Sequence, residues 1–160
     1  MDDDVRSGGH DHAYAELPAA ERDAIVERFN VHVRPYFPGY MGFRLLDVRR
    51  GYARLGVENR RELANPSGMM HGGASFGLAD SAVACSLMTI YGPGKLLLTI
   101  EMKINYLEPI PHGPVTAEAR VLRSSRRSAY AEVDVWAAGK LAARATTTYM
   151  IREPATPPSA

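Results

Sequence analysis

Residues 65–91 read NPSGMMHGGASFGLADSAVACSLMTIY, and this stretch decides the fold. Asn65-Pro66 and Gly68 are turn signals. From Ala74 a helical run continues to Gly92-Pro93-Gly94, which must end it. Its apolar residues, from Ala74 and Phe76 through Leu78, Val83, Leu87 and Ile90, fall on nearly every face. A helix apolar all round is buried on all sides. The run is short and rich in Ala and Ser for a membrane span, and Asp80 sits in its middle. The expectation is a central helix wrapped by the rest of the chain.

Two features of this helix bear on chemistry. Asp80 is the only formal charge between His71 and Tyr91. A buried carboxylate is costly unless paired or hydrogen-bonded, so Asp80 either caps something on a small wet face or is a catalytic acid or base. At the helix start, Gly72 and Gly73 leave backbone N–H groups uncovered at the positive end of the helix dipole. Such a terminus can polarise a carbonyl and hold an oxyanion. The same glycines also suit a tight turn or close packing on a strand.

Geometry links the two features. Gly72 and Asp80 lie roughly 12 Å apart along one helix axis. His71 and Asp80, nine residues apart, point about 180° away from each other. One helix does not bring both ends to a single carbonyl carbon. Two antiparallel copies about a two-fold axis do, so a shared site spans a dimer interface.

Working outward, 160 residues with 46% apolar and 23% charged content fit one globular domain with a real core. A net charge of +1 gives no electrostatic reason to expect nucleic acid, and a single amphipathic helix near the N-terminus makes no helix-turn-helix. Cys85 has no internal disulfide partner and reads as a packed thiol. The start, MDDDVRSGGHDH, carries no apolar h-region, so the default location is the cytoplasm. Residues 1–15 and 153–160 read as disordered tails around a single domain at 16–152; His10 and His12 lack the further ligands a metal needs.

Within the domain, Leu17-Pro18 opens a helix to about Val33, ended by Pro35 and Pro38-Gly39. Phe43–Val48 and Tyr52–Glu58 read as a hairpin about Arg49-Arg50-Gly51, and Arg60-Arg61-Glu62 as a solvated turn. Leu96–Leu107 is a long strand, with Leu98, Ile100, Met102, Ile104 and Tyr106 on one face and Thr99, Glu101, Lys103 and Asn105 on the other. Strands at 115–122, 129–137 and 141–151 follow. Short connections make most of the pairing antiparallel, so the class is α+β: a five- to six-stranded sheet round a central buried helix.

The pattern Asn65-Pro66-x-Gly68-x-x-His71-Gly72-Gly73, followed by Leu78-Ala79-Asp80, resembles the signature of the hotdog-fold thioesterases, specifically the PaaI-like (phenylacetate-degradation) group. The likeness extends from about Tyr40 to Ile151. It implies the hotdog fold and hydrolysis of an acyl-CoA thioester, with no metal and no organic cofactor. By the same likeness, the Gly72 N–H polarises the thioester carbonyl, with Gly73 beside it. Asn65 holds that carbonyl or fixes the turn. His71 orients the motif or sits near the departing thiol, though it also suits a buried histidine bonding a backbone carbonyl. Asp80 from the partner subunit serves as general base or nucleophile. Thr99 falls where relatives carry a Ser or Thr that places the water. The implied partners are an acyl-CoA substrate and a second copy, with dimers pairing into tetramers; no membrane is implied.

Arg123, Arg126 and Arg127 occupy a turn where they either meet the CoA phosphates or form a solvated hairpin tip. Two competing motifs fail on context. Gly73-Ala74-Ser75-Phe76-Gly77 matches G-x-S-x-G, but a Pro/Gly turn stands where that motif needs a strand. Gly92-Pro93-Gly94-Lys95 lacks phosphate-loop spacing, since Leu96 follows the lysine. The alternative of another class is a non-catalytic acyl-CoA binder or sensor on the same fold. Tyr40, Phe43, Met69, Met70, Phe76 and Tyr106 line an acyl pocket or pack the core.

Overall fold

The computed structural model describes residues 14–154, so the expected tails lie outside it except for Tyr14, Ala15, Glu153 and Pro154. Six strands, β1 (Arg44–Arg49), β2 (Tyr52–Asn59), β3 (Leu96–Tyr106), β4 (Gly113–Ser124), β5 (Ser128–Ala137) and β6 (Lys140–Arg152), form one sheet in the order β1-β2-β4-β5-β6-β3. Every neighbouring pair is antiparallel. Three α-helices accompany it: α1 (Ala19–Glu27), α2 (Phe37–Met41) and α3 (Gly72–Tyr91). Helix α3 lies across the inner face of the sheet against β2, β4 and β5. This is the α+β architecture expected from the sequence.

The inner face explains how a sheet wraps so closely around a helix. Ala117, Ala119, Ala131, Ala143 and Ala145 point inward and are buried. Short side chains there let the backbone approach α3, whose Leu78, Val83 and Leu87 fill the space and are fully buried. Each of those three contributes about 1.5–3 kcal/mol by leaving water. Helix α3 is long and apolar enough to cross a membrane by length and composition, but its apolar faces are spent on this core. Gly92, at φ 74°, ends it.

Three local features differ from the sequence reading. The first helix does not run evenly to Val33: α1 stops at Glu27 and Arg28–His32 continues as a π-helical turn. There the Asn30 side chain accepts from Leu45 N–H (3.1 Å) and donates to Leu45 C=O (3.5 Å), covering the β1 edge. Pro38-Gly39 is not a plain terminator but lies inside α2, where a proline in the first turn costs no hydrogen bond. Arg60 belongs to no free turn; its guanidinium donates to the carbonyls of Met41 (3.0 Å) and Tyr40 (3.2 Å) and so caps α2.

A further difference is a β-bulge in β3 between Thr99 and Glu101. Thr99 pairs with Tyr149, while Met102 pairs with Thr147 and Ile104 with Ala145, all inward residues of β6. The extra residue, Ile100, reverses the alternation. Thr99 therefore shares the helix side with Met102, Ile104 and Tyr106, and Leu98 does not.

On the outer face, Arg120 and Arg144 converge on Asp134. Arg144 donates twice, at 2.6 and 2.9 Å, and Arg120 donates to both Asp134 and Glu132. Burial alone pushes the Asp134 carboxyl up, but the Arg144 and Arg120 guanidinium groups outweigh it and hold it below the usual carboxylate range.

Candidate active site

The loop before α3 is built by Asn65. Its Oδ1 accepts from the N–H groups of Ser67 (2.9 Å) and Met69 (3.2 Å), and its own N–H donates to the Met69 carbonyl at 2.7 Å. Of the two readings of Asn65, the structure shows the turn-fixing one; only the Nδ2 donors remain for anything else. His71 N–H donates to Leu63 C=O at 2.7 Å and Met70 N–H to Ile110 C=O at 2.8 Å, which fastens the loop to its surroundings.

His71 is the N-cap of α3. Its Nδ1 accepts from Gly73 N–H at 2.9 Å, and the side chain is exposed. It is therefore not a buried histidine bonding a carbonyl. It orients the helix start and consumes the Gly73 donor. Gly72 N–H makes no hydrogen bond to the described residues, as expected for the first residue of a helix. The Gly72 carbonyl, by contrast, accepts from Tyr106 Oη (2.9 Å) and Ser75 Oγ (3.0 Å). A Cβ on Gly72 would meet Tyr106 Oη at 3.0 Å, so glycine is needed for this close approach. Ser75 is buried and turned to that carbonyl, which removes it as a nucleophile.

Asp80, two turns on, is half-buried on the accessible stripe of α3 that includes Phe76, Gly77 and Ala84. Thr99 Oγ1 donates to its Oδ1 at 2.8 Å. The bulge in β3 makes this contact possible, by turning Thr99 toward the helix. Tyr149 Oη lies 2.5 Å from the same Oδ1 and 3.0 Å from the Asp80 carbonyl. Tyr149 is 2% exposed, and that burial, with the Asp80 charge beside it, pushes the phenol well above its ordinary range. Asp80 Oδ2 makes no hydrogen bond to the described residues. Sequence reasoning missed Tyr149. The available signal was a tyrosine at an inward position of β6, where neighbouring inward residues are Ala145 and Thr147.

The chain thus brings Asp80 and Thr99 together, and His71 with Gly72 and Gly73, but keeps the two groups apart along α3. Arg126 and Arg127 are at the β4–β5 turn, far from Gly72. With Tyr91, Lys95, Leu98 and Arg152 they line an open groove of about 1040 Å³ at the C-terminal end of α3. Of the acyl-pocket candidates, Phe43 and Met70 are core residues at 4% and 6% exposure, whereas Tyr40, Met69 and Tyr106 are exposed. Cys85 is buried, and burial pushes its thiol up, so it is inert. Among the described residues no group of three or more His, Cys, Asp or Glu could hold a metal.

Comparison with known proteins agrees with this fold. The Thioesterase superfamily profile matches residues 67–143. A variant of the phenylacetic acid degradation protein PaaI from Thermus thermophilus superposes with a TM-score of 0.66 and 33% identity, covering 71% of this chain and 96% of that one. A thioesterase from Haemophilus influenzae superposes with a TM-score of 0.78 at 18% identity, over 91% of this chain and 99% of its own. The 1,4-dihydroxy-2-naphthoyl-CoA hydrolase of Listeria monocytogenes is 25% identical over 95 residues, 59% of this chain and 77% of its own.

Proposed function

Since the chain belongs to the hotdog-fold thioesterases, in the PaaI-like group, we propose that this thioester hydrolase acts on an acyl-CoA, releasing the free acid and CoA. The observation that carries the reading is the pairing of one unengaged N–H at the mouth of α3, on Gly72, with one carboxylate oxygen left open on Asp80. The CoA portion of the substrate is supported by the Listeria hydrolase, whose name specifies a CoA thioester.

The two groups meet across a homodimer. The β1 edge is covered by Asn30, while the β3 edge is open and carries Leu98, Ile100 and Tyr106, each between 43% and 56% exposed. An open apolar edge is a template for pairing with another strand. Along β3, Tyr106 is beside Gly72 and Thr99 beside Asp80. A two-fold pairing of β3 with its copy, centred between Met102 and Lys103, brings the partner's Tyr106 end, and with it the partner's helix mouth, to the Thr99 level of this chain. Arg126 and Arg127 then stand near the same composite site, where they would meet CoA phosphates.

In the reaction, the Gly72 N–H donates to the thioester carbonyl oxygen. Asp80 takes a proton from water as the water oxygen bonds to the carbonyl carbon. The tetrahedral oxyanion rests on the Gly72 donor. Its collapse breaks the C–S bond, and the CoA thiolate leaves and is protonated from Asp80 or solvent.

The test is release of free thiol from a panel of acyl-CoAs by wild type and Asp80→Asn. Wild-type turnover is expected on at least one substrate, with a loss of at least about 100-fold in the variant. Binding of acyl-CoA without turnover would instead make the chain a sensor, and equal rates would remove Asp80 from the chemistry.

A further inference from the structure

We propose that Tyr149 is a positioning residue that, with Thr99, fixes the Asp80 carboxylate by one oxygen and reserves the other for the reaction. The inference rests on the thioesterase reading above and deepens it.

Two hydroxyl groups converge on Oδ1. Thr99 Oγ1 is 2.8 Å away and Tyr149 Oη 2.5 Å away, and neither touches Oδ2. The two donors come from directly paired positions on β3 and β6. A carboxylate oxygen offers two in-plane lone pairs, and two donors fill both. The rotation of the carboxylate about its side-chain bonds is thereby stopped, with Oδ2 as the remaining acceptor. Hydrogen bonds to an ionised acceptor are the strong ones, so the clamp resists displacement by water.

Packing alone does not account for a tyrosine at this position. The side chain is 2% exposed beneath α3, where phenylalanine would fill the same volume. Burying a hydroxyl costs free energy unless it finds a partner. The Tyr149 hydroxyl has one proton and two nearby acceptors on Asp80, and the shorter distance is to the carboxylate. Burial also keeps the phenol protonated across the working pH range, so it remains a donor and never competes as a base.

Thr99 cannot do this alone. It adjoins the β3 bulge, where the register shifts, whereas Tyr149 sits in a regular part of β6, paired with Thr99 on one side and Ala129 on the other. The buried tyrosine supplies the rigid half of the clamp. A carboxylate held by only the threonine would turn Oδ1 and Oδ2 through each other's places and spend less time aimed at the carbonyl.

The experiment uses the full chain and the acyl-CoA that wild type turns over fastest. Steady-state kcat and KM are measured for wild type, Tyr149→Phe, Thr99→Val and the double variant, with Asp80→Asn as the reference for complete loss and thermal melts as the control for folding. Tyr149→Phe is expected to lower kcat about 10-fold with KM within about 2-fold of wild type, because an aligning contact matters in the transition state and not in substrate binding. The double variant is expected to lose less than the product of the two single losses, since both donors act on one oxygen. A Tyr149→Phe enzyme with kcat within about 2-fold of wild type overturns the proposal. So does a fall in kcat matched by a fall in melting temperature and a rise in KM, which marks a packing role. Wild type without turnover on any acyl-CoA refutes the underlying thioesterase reading instead, and the inference falls with it.

Discussion

Gly72→Ala adds one methyl group to the mouth of α3 and separates the demands of the fold from those of the chemistry. The new Cβ would meet Tyr106 Oη at 3.0 Å and Cζ at 3.1 Å, so the ring must give by a few tenths of an ångström. Tyr106 ends an edge strand and is 53% exposed, so it can swing outward at little cost. What is lost is its hydrogen bond to the Gly72 carbonyl, worth about 1 kcal/mol net. What is gained is the smaller backbone entropy of alanine in the unfolded chain, about 0.4–1 kcal/mol. The two nearly cancel, and the expected change in stability is under about 1 kcal/mol by urea denaturation.

Turnover responds differently. The methyl group stands beside the one N–H that is to receive the thioester oxygen, and displacing a substrate from an oxyanion donor costs about 100-fold in kcat. The assay is thiol release under saturating acyl-CoA, with Tyr106→Phe in parallel. The latter removes the same hydrogen bond without adding bulk and should retain most of the turnover. A Gly72→Ala enzyme as stable as expected yet within about 3-fold of wild-type kcat would refute the role given to the helix mouth.

Two further outcomes follow from other parts of the molecule. Asp134→Asn should cost about 2–3 kcal/mol at pH 7, because it leaves the buried Arg120 and its neighbour Arg144 without their shared carboxylate. Asp134 is held below its unfolded-state value, so its stabilisation is complete above about pH 3.9 and drains away as pH falls through the lower folded value. Melts should therefore show a constant gap between wild type and variant down to about pH 4 and a closing gap below it; a gap unchanged at pH 3 would contradict this. Ile100→Lys places a charge on the open β3 edge and should shift the dimer to monomer in sedimentation velocity, with loss of turnover. A monomeric variant with wild-type kcat would exclude a site shared between subunits.

Much of this architecture is legible in the chain. The all-round apolar run of α3 announces a core helix, and all six strands fall where the sequence reading put them, with period-two alternation plainest in β2 and β4. Asp80 and Gly72 stand out because each violates its setting, a charge in an apolar run and a glycine pair at a helix start. The residues that escaped detection depend on contacts distant in sequence. The fold of α2 around Pro38-Gly39 is held by Arg60, 20 residues away from Tyr40. Tyr149 meets Asp80 across 69 residues. The π-helical turn at Arg28–His32 has no compositional mark, and its Asn30 finds its purpose only where β1 passes beneath it.

The interruption at Ile100 has a consequence for comparing this strand with its counterparts. Side chains on an extended chain keep count in twos, and a single surplus residue resets the tally. Anyone numbering inward positions from Tyr106 backward, or from Leu97 forward, will arrive at the far half on the wrong side. Related chains that carry or lack this surplus residue can thus share most letters of β3 yet present opposite residues to the acid on the helix. A one-residue gap in an alignment, ordinarily trimmed as noise, would here decide whether a hydroxyl faces the carboxylate or the solvent.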